Sequence, residues 1–161
     1  MGKNDVHRTM HELSAATRRK IGIYKEKSME LLEQIKDWLV TFPQWGEQVL
    51  HIDTTAAGPD NCGLFPLGQE ILETKQDVLG NVSQKLRYSF LLRRIASRQE
   101  RAAVWLLGFQ DWVRQQSLAG LAPRFGEHCR IRAEKGKLIS ATQTGTATYE
   151  VKIVLEFTKE E

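Results

Sequence analysis

Val82-Ser83-Gln84-Lys85-Leu86-Arg87-Tyr88-Ser89-Phe90-Leu91-Leu92-Arg93 is the stretch whose pattern decides the fold. Val82, Leu86, Tyr88, Phe90 and Leu92 take even positions, while Ser83, Lys85, Arg87, Ser89 and Arg93 take odd ones. Successive side chains of a strand point to opposite faces, so this period predicts a strand with one apolar and one wet face. Arg93 and Arg94 are expected to close it. Just upstream, Gly80-Asn81 places a glycine where a two-residue type II′ hairpin turn requires positive φ. Residues 64–77 before that turn read as extended but irregular. Pro66 and Gly68 interrupt them, which suits an edge or bulged strand.

The rest of the chain falls into place around this strand. Leu31, Leu32, Ile35, Trp38, Leu39 and Phe42 follow the spacing of an amphipathic helix, and Pro43 is expected to end it. Residues 48–54 read as a short strand, and 55–63, with Gly58, Pro59, Asn61 and Gly63, as a loop. Ser97 and Glu100 have the spacing of a capping box, predicting a second helix to about Gln116. Its stripe of Val104, Trp105, Leu106, Leu107, Phe109, Trp112 and Val113 suits a helix lying on a sheet. After a loop at 119–126 come alternating residues from Cys129 to Glu134, an extended run at 137–141, and a final strand. In that strand Tyr149, Val151, Ile153, Leu155 and Phe157 face in. The expected fold is α+β: a single domain with two helices packed on one face of a mostly antiparallel β-sheet.

At 161 residues, 41% hydrophobic and 27% charged, the chain has the size and composition of one globular domain. The apolar run 102–109 is too short to span a bilayer, so no membrane partner is expected. Two distant cysteines, Cys62 and Cys129, make no disulfide framework, and folding in a reducing cytoplasm is expected. Residues 1–28 carry net charge +4 without a sustained apolar face, and read as a basic N-terminal arm ahead of a domain at 29–161. Met29 follows Lys25-Glu26-Lys27, whose codons permit a purine-rich ribosome-binding run, so Met29 reads either as a start or as an ordinary helix methionine.

The formal charge of +3 hides a segregation: residues 29–80 carry −7 and residues 81–135 carry +7. If the two segments fold against each other, the opposite charges merely solvate neighbouring faces. If they lie on opposite flanks, the acidic side of one subunit meets the basic side of the next, which builds a ring. Arg87, Arg93 and Arg94 against Asp53, Glu70, Glu73 and Asp77 are the candidate residues for such a contact.

Catalytic signatures are missing from the sequence. It has no phosphate-binding glycine loop and no nucleophile elbow. His11-Glu12 has Ala15 where a zinc-protease helix needs its second histidine, and Cys62, Cys129, His51 and His128 lack metal-ligand spacing. Neither an enzymatic activity nor a metal or other cofactor is expected. Arg87, Arg93, Arg94, Arg98 and Arg101 with Tyr88 and Phe90 superficially suggest a nucleic-acid platform. The alternation, however, sends rings and arginines to opposite faces, and Trp105 and Trp112 read as core.

Gly63-Leu64-Phe65-Pro66, Asp77-Val78-Leu79-Gly80-Asn81 leading into Leu86–Arg93, Leu121-Ala122-Pro123-Arg124-Phe125-Gly126 and the closing residues 149–157 together give the chain a likeness. From Met29 onward it resembles the tail terminator, or tail completion (minor capsid), proteins of long-tailed phages and prophages of Gram-positive bacteria. The resemblance implies a virion structural protein assembled in the bacterial host cytoplasm and placed at the head-proximal end of the tail. It implies a homo-oligomeric ring, a hexamer, that caps the tail tube, stops its polymerisation and offers the surface for head–tail joining. The implied partners are other copies of itself, the tail tube protein and the head–tail connector protein, with non-specific contact to DNA in the channel. A connector or stopper protein and a small nucleic-acid-binding regulator are the alternatives. Two loops are the expected contact points: one with Pro59, Asp60 and Asn61, the other with Pro123, Arg124 and Phe125.

Overall fold

The alternation beginning at Val82 forms strand β3, Val82–Ser97, the centre of a six-stranded sheet. In this computed structural model residues 30–56, 58–97, 102–143 and 145–160 are described. The chain divides into two compact units, Met1–Ile35 and Lys36–Glu161, and the sheet belongs to the second. The expected arm at 1–28 lies outside the described residues, as does Met29.

Around β3 the elements are helix α1 at 30–39, β1 at Val49–Ile52, β2 at Asn61–Gln76, helix α2 at Ala102–Leu118, β4 at Glu127–Ala133, β5 at Lys137–Ala141 and β6 at Thr146–Glu160. The strand order is β1-β2-β3-β6-β4, with β5 also on β6. Every pairing is antiparallel except β1 with β2. Two helices among the described residues and a mostly antiparallel sheet make an α+β fold, as the pattern predicts.

One face of the sheet is apolar because register aligns the even positions of β3 with the odd positions of β6. Leu86 sits beside Phe157, Phe90 beside Ile153, Leu92 beside Val151 and Ala96 beside Ala147, and all are buried. Helix α2 lies on this face, burying Trp105, Phe109 and Val113, which are spaced four residues apart along one side. Trp38 near the end of α1 stacks on Trp112 at 4.7 Å between ring centroids, and the Phe42 ring meets Trp105 and Phe109 edge-on at 5.5 and 5.6 Å. The indole N–H of Trp105 donates to the Gln44 carbonyl at 2.8 Å, which satisfies a polar group inside an aromatic cluster.

Several boundaries differ from expectation. Strand β3 does not close at Arg94; β6 offers ladder partners as far as Thr146, so pairing continues to Ser97. Ser97 is therefore a strand residue, and Glu100, the other half of the expected capping box, lies outside the described residues. Helix α1 ends at residue 39, before Pro43, where Thr41 N–H and Phe42 N–H turn back to the Trp38 and Leu39 carbonyls. On α2, Val104 and Leu107 stand 58% and 66% exposed, because a helix lying on a sheet buries one stripe and turns those positions to water.

Two local devices build the β2–β3 hairpin. At its apex a loop at 77–81 replaces the expected two-residue turn: the Asp77 carboxylate accepts from Leu79 N–H and Asn81 N–H, both at 2.9 Å, and from the Asn81 amide at 2.8 Å. Gly80 does take positive φ there, at 87°. At the base, β2 begins at Asn61 rather than after Gly63, because β1 lies parallel to its first four residues, Val49 beside Asn61 through Ile52 beside Leu64. Parallel neighbours ordinarily need a long crossover. Here the described loop residues 53–56 and 58–60 include positive φ at Asp53, Gly58 and Asp60. The buried Asn61 amide bonds Ala56 N–H, the Ala56 carbonyl and the Gly58 carbonyl. This loop crosses against Gly63: a Cβ there would press on the Thr54 carbonyl and lie 2.7 Å from the Thr55 methyl.

Candidate assembly surfaces

The face of the sheet opposite α2 carries the odd positions of β3 and the even positions of β6. Arg87 reaches both neighbouring strands: it donates to Glu156 on β6 at 3.0 Å and lies 3.5 Å from Glu70 on β2. Arg132 on β4 donates to the same Glu156 at 3.0 Å. Partial burial alone raises the Glu156 carboxyl, but the bonds from Arg132 and Arg87 prevail and hold it below the usual glutamate value. Arg93 pairs with Glu150 on β6, and its guanidinium lies 5.2 Å from the centre of the Phe65 ring. The face is a ladder of alternating charge running across four strands.

This ladder bears on the charge segregation. Glu70 comes from the acidic segment and Arg87 from the basic one, and they face each other within a single sheet. Arg93, Arg87 and Arg132 are met by the acids of β6. Arg87 and Arg93 thus have acidic partners within the subunit, of which Glu70 alone comes from the acidic segment.

Arg94 parts company with Arg93. Its even position turns it to the helix face, where it is 7% exposed, bonded to the Gln48 side chain and stacked 4.3 Å above the Trp105 ring. The Cys62 thiol donates to the same Gln48 oxygen at 3.1 Å, and burial pushes that thiol up to about 12 despite the nearby Arg94 charge, a shift that favours the protonated thiol. Arg94 therefore packs the core. The signal was present in the sequence, because its position falls in step with Leu86, Phe90 and Leu92.

The acidic candidates scatter. Asp53 follows β1 on the surface and its N–H donates to the Leu64 carbonyl, Glu73 lies 3.6 Å from Lys75, and Asp77 organises the hairpin apex. Each expected contact loop mixes exposed and buried residues. Pro59 and Asp60 are exposed but Asn61 is buried as the staple of its loop. In the other loop Pro123 is buried, Phe125 is half-buried with its ring 5.9 Å from Phe157, and Arg124 alone of the three is exposed. Close approach explains this second case: a Cβ on Gly126 would run into the Thr158 carbonyl, so the chain is pressed against β6.

No family model and no curated protein matches this chain. The surfaces must speak through their own chemistry. Among the described residues no group of three or more His, Cys, Asp or Glu side chains gathers, and no helix is long and apolar enough to cross a membrane.

What does project is the hairpin. Beyond Leu64, where β1 ends, β2 runs to Gln76 as an edge with Leu67 and Ile71 more than half exposed. At its apex Val78 is fully exposed and Leu79 is 84% exposed, held in one shape by the Asp77 carboxylate. The edge itself is blunted by Pro66 and by register shifts at 66/68 and 71/73, devices that discourage pairing with another strand. The apex therefore offers a preformed apolar contact, whereas the edge offers little. Val78 and Leu79 belong to a string that carries the resemblance but are not among the expected contacts; the signal is two large apolar residues inside a turn.

Proposed function

We propose that this chain is a structural subunit of a phage tail, forming a ring that caps the tail tube, ends its polymerisation and presents the surface to which the head joins. Six copies in the ring and a place at the head-proximal end of the virion tail are what the sequence resemblance implies. The observation that carries the reading is the hairpin apex. Two adjacent large apolar side chains stand in water at the end of paired 16-residue strands, in a turn fixed by five hydrogen bonds around Asp77 and Asn81. Apolar groups preorganised this way lose little conformational entropy on docking. The apex supplies apolar surface for contacts between subunits or with the tube, beside a charged face whose Arg87 and Arg93 already have acidic partners within the subunit.

The test is native mass measurement of the full chain alone and bound to isolated tail tubes. A closed multimer on the tubes, with tube growth halted by added protein, is the expected result. Val78→Asp with Leu79→Asp should abolish capping while the protein remains folded. A chain that stays monomeric on tubes, or tails of normal length joined to heads in a clean deletion, rejects the reading.

A further inference from the structure

The open face carries more than one concavity among the described residues, and one of them stands apart by its two unpaired cations. At the apex end of the sheet a cleft of about 440 Å³ is bounded by β2, β3, β6 and β4. Lys85 from β3 and Arg130 from β4 line it, and neither forms an ion pair among the described residues. The acids nearby are already engaged: Glu156 accepts from Arg87 and Arg132, and Glu73 lies beside Lys75. Register places the two free cations on the same face. Lys85 is opposite Thr158 on one side of β6, and Arg130 is opposite Glu156 on the other, so they flank β6 with one strand between them. With β6 between them their backbones stand two strand spacings apart, roughly 10 Å, and are offset by two residues along β6, a gap that two long basic side chains reach across to share one ligand. The hydroxyls of Ser83 and Thr158 line the same cleft. So does His128, swung out by a left-handed backbone at the β4 register shift.

We infer that this cleft binds a phosphate group, held between Lys85 and Arg130 above Thr158, with Ser83 and His128 as further donors. The chemistry fits a multiply charged oxyanion better than a carboxylate. Two cations of different geometry, a forked guanidinium and a compact ammonium, converge with hydroxyl donors on a site whose own carboxylates are spent. A low-dielectric wall, here the sheet with buried Phe157, strengthens such a field. The site stands independently of any role in tail assembly, since it needs no second copy and no tube.

Free phosphate compounds and the backbone of a nucleic acid both supply this group, and titration of the full chain separates them. Inorganic pyrophosphate and a short DNA duplex are titrated in parallel arms, with amide shifts or heat as the readout. Pyrophosphate should perturb Ser83, Lys85, His128, Arg130 and Thr158. Lys85→Gln with Arg130→Gln should weaken binding by about tenfold or more, the scale of two charge-assisted hydrogen bonds. Lys137→Gln with Lys152→Gln, which removes equal charge from the same face outside the cleft, should leave it within about twofold. Duplex binding that competes with pyrophosphate and falls steeply with salt identifies a nucleic-acid backbone as the source, while pyrophosphate binding without it identifies a free phosphate compound. No saturable binding of either probe, or equal losses in the two double variants, overturns the inference.

Discussion

The two faces of β3 are built from the same sixteen residues of backbone and do opposite work. Even positions face α2 and bury Leu86, Phe90, Leu92, Arg94 and Ala96, whereas odd positions face water and hold Arg87 and Arg93 in ion pairs with β6. The contrast teaches where stability resides. Apolar burial is worth ~25 cal/mol per Å² removed from water, while exposed ion pairs are worth ~0 to 1 kcal/mol because solvent already satisfies each charge. The helix face holds the fold together, and the charged face keeps it soluble and leaves its far end free for a ligand.

The strongest way to break this comparison is to hollow the helix face. Phe90→Ala should cost about 3 to 5 kcal/mol in chemical denaturation, since the ring is buried against Ile153 and neighbours that relax only in part. A loss no larger than that of a surface substitution would show that the face is not the core. Next comes Gly63→Ala, where the added methyl meets the Thr54 carbonyl and the Thr55 methyl. A cost of about 1 to 3 kcal/mol is expected. In the same variant, amide exchange should speed up at Asp53, whose N–H donates across to Leu64.

On the charged face the effects shrink. A double-mutant cycle on Arg93→Ala and Glu150→Ala should return a coupling below about 1 kcal/mol, although two guanidinium nitrogens meet one carboxylate oxygen, because the arginine is more than a third exposed. At the apex, Val78→Ser with Leu79→Ser should leave stability within about 0.5 kcal/mol, since neither side chain is buried. Self-association or tube binding should nevertheless be lost. A stability loss as large as that from Phe90→Ala would place the apex in the core instead.

The smallest effect concerns pH. Glu156 has a folded-state pKa held below its unfolded value, so its contribution is fully present above the ordinary glutamate range and is lost as pH falls through the folded value. Carboxyl titration by NMR should find its midpoint below that of an ordinary glutamate, and Arg132→Gln should move the midpoint up. An unchanged midpoint in that variant would mean the Arg132 hydrogen bond contributes nothing to the shift.

Much of the fold could be read directly. The alternation in β3 and β6, the aromatic spacing on α2 and the edge character of β2 all follow from side-chain periodicity, which depends on neighbours only a few residues away. Even the division of labour between Arg93 and Arg94 is a matter of parity. The candidate surfaces were less legible. Asn61 and Pro123 carry the composition of exposed loops, yet backbone crossings at Gly63 and Gly126 pull their loops onto the sheet. Val78 and Leu79 carry the composition of a core, yet they stand in water.

The sequence by itself determined which residues alternate, where helices and strands lie and which face of each is apolar, because these follow from backbone geometry and local hydropathy. Only the tertiary structure decided that β1 runs parallel to β2, that β6 lies between β3 and β4, and that Arg87 and Arg132 meet at Glu156. Strand order and charge pairing are set by the closure of long loops and by which edges remain open once the core has formed. Those quantities belong to the whole folded chain, and no local stretch of it encodes them.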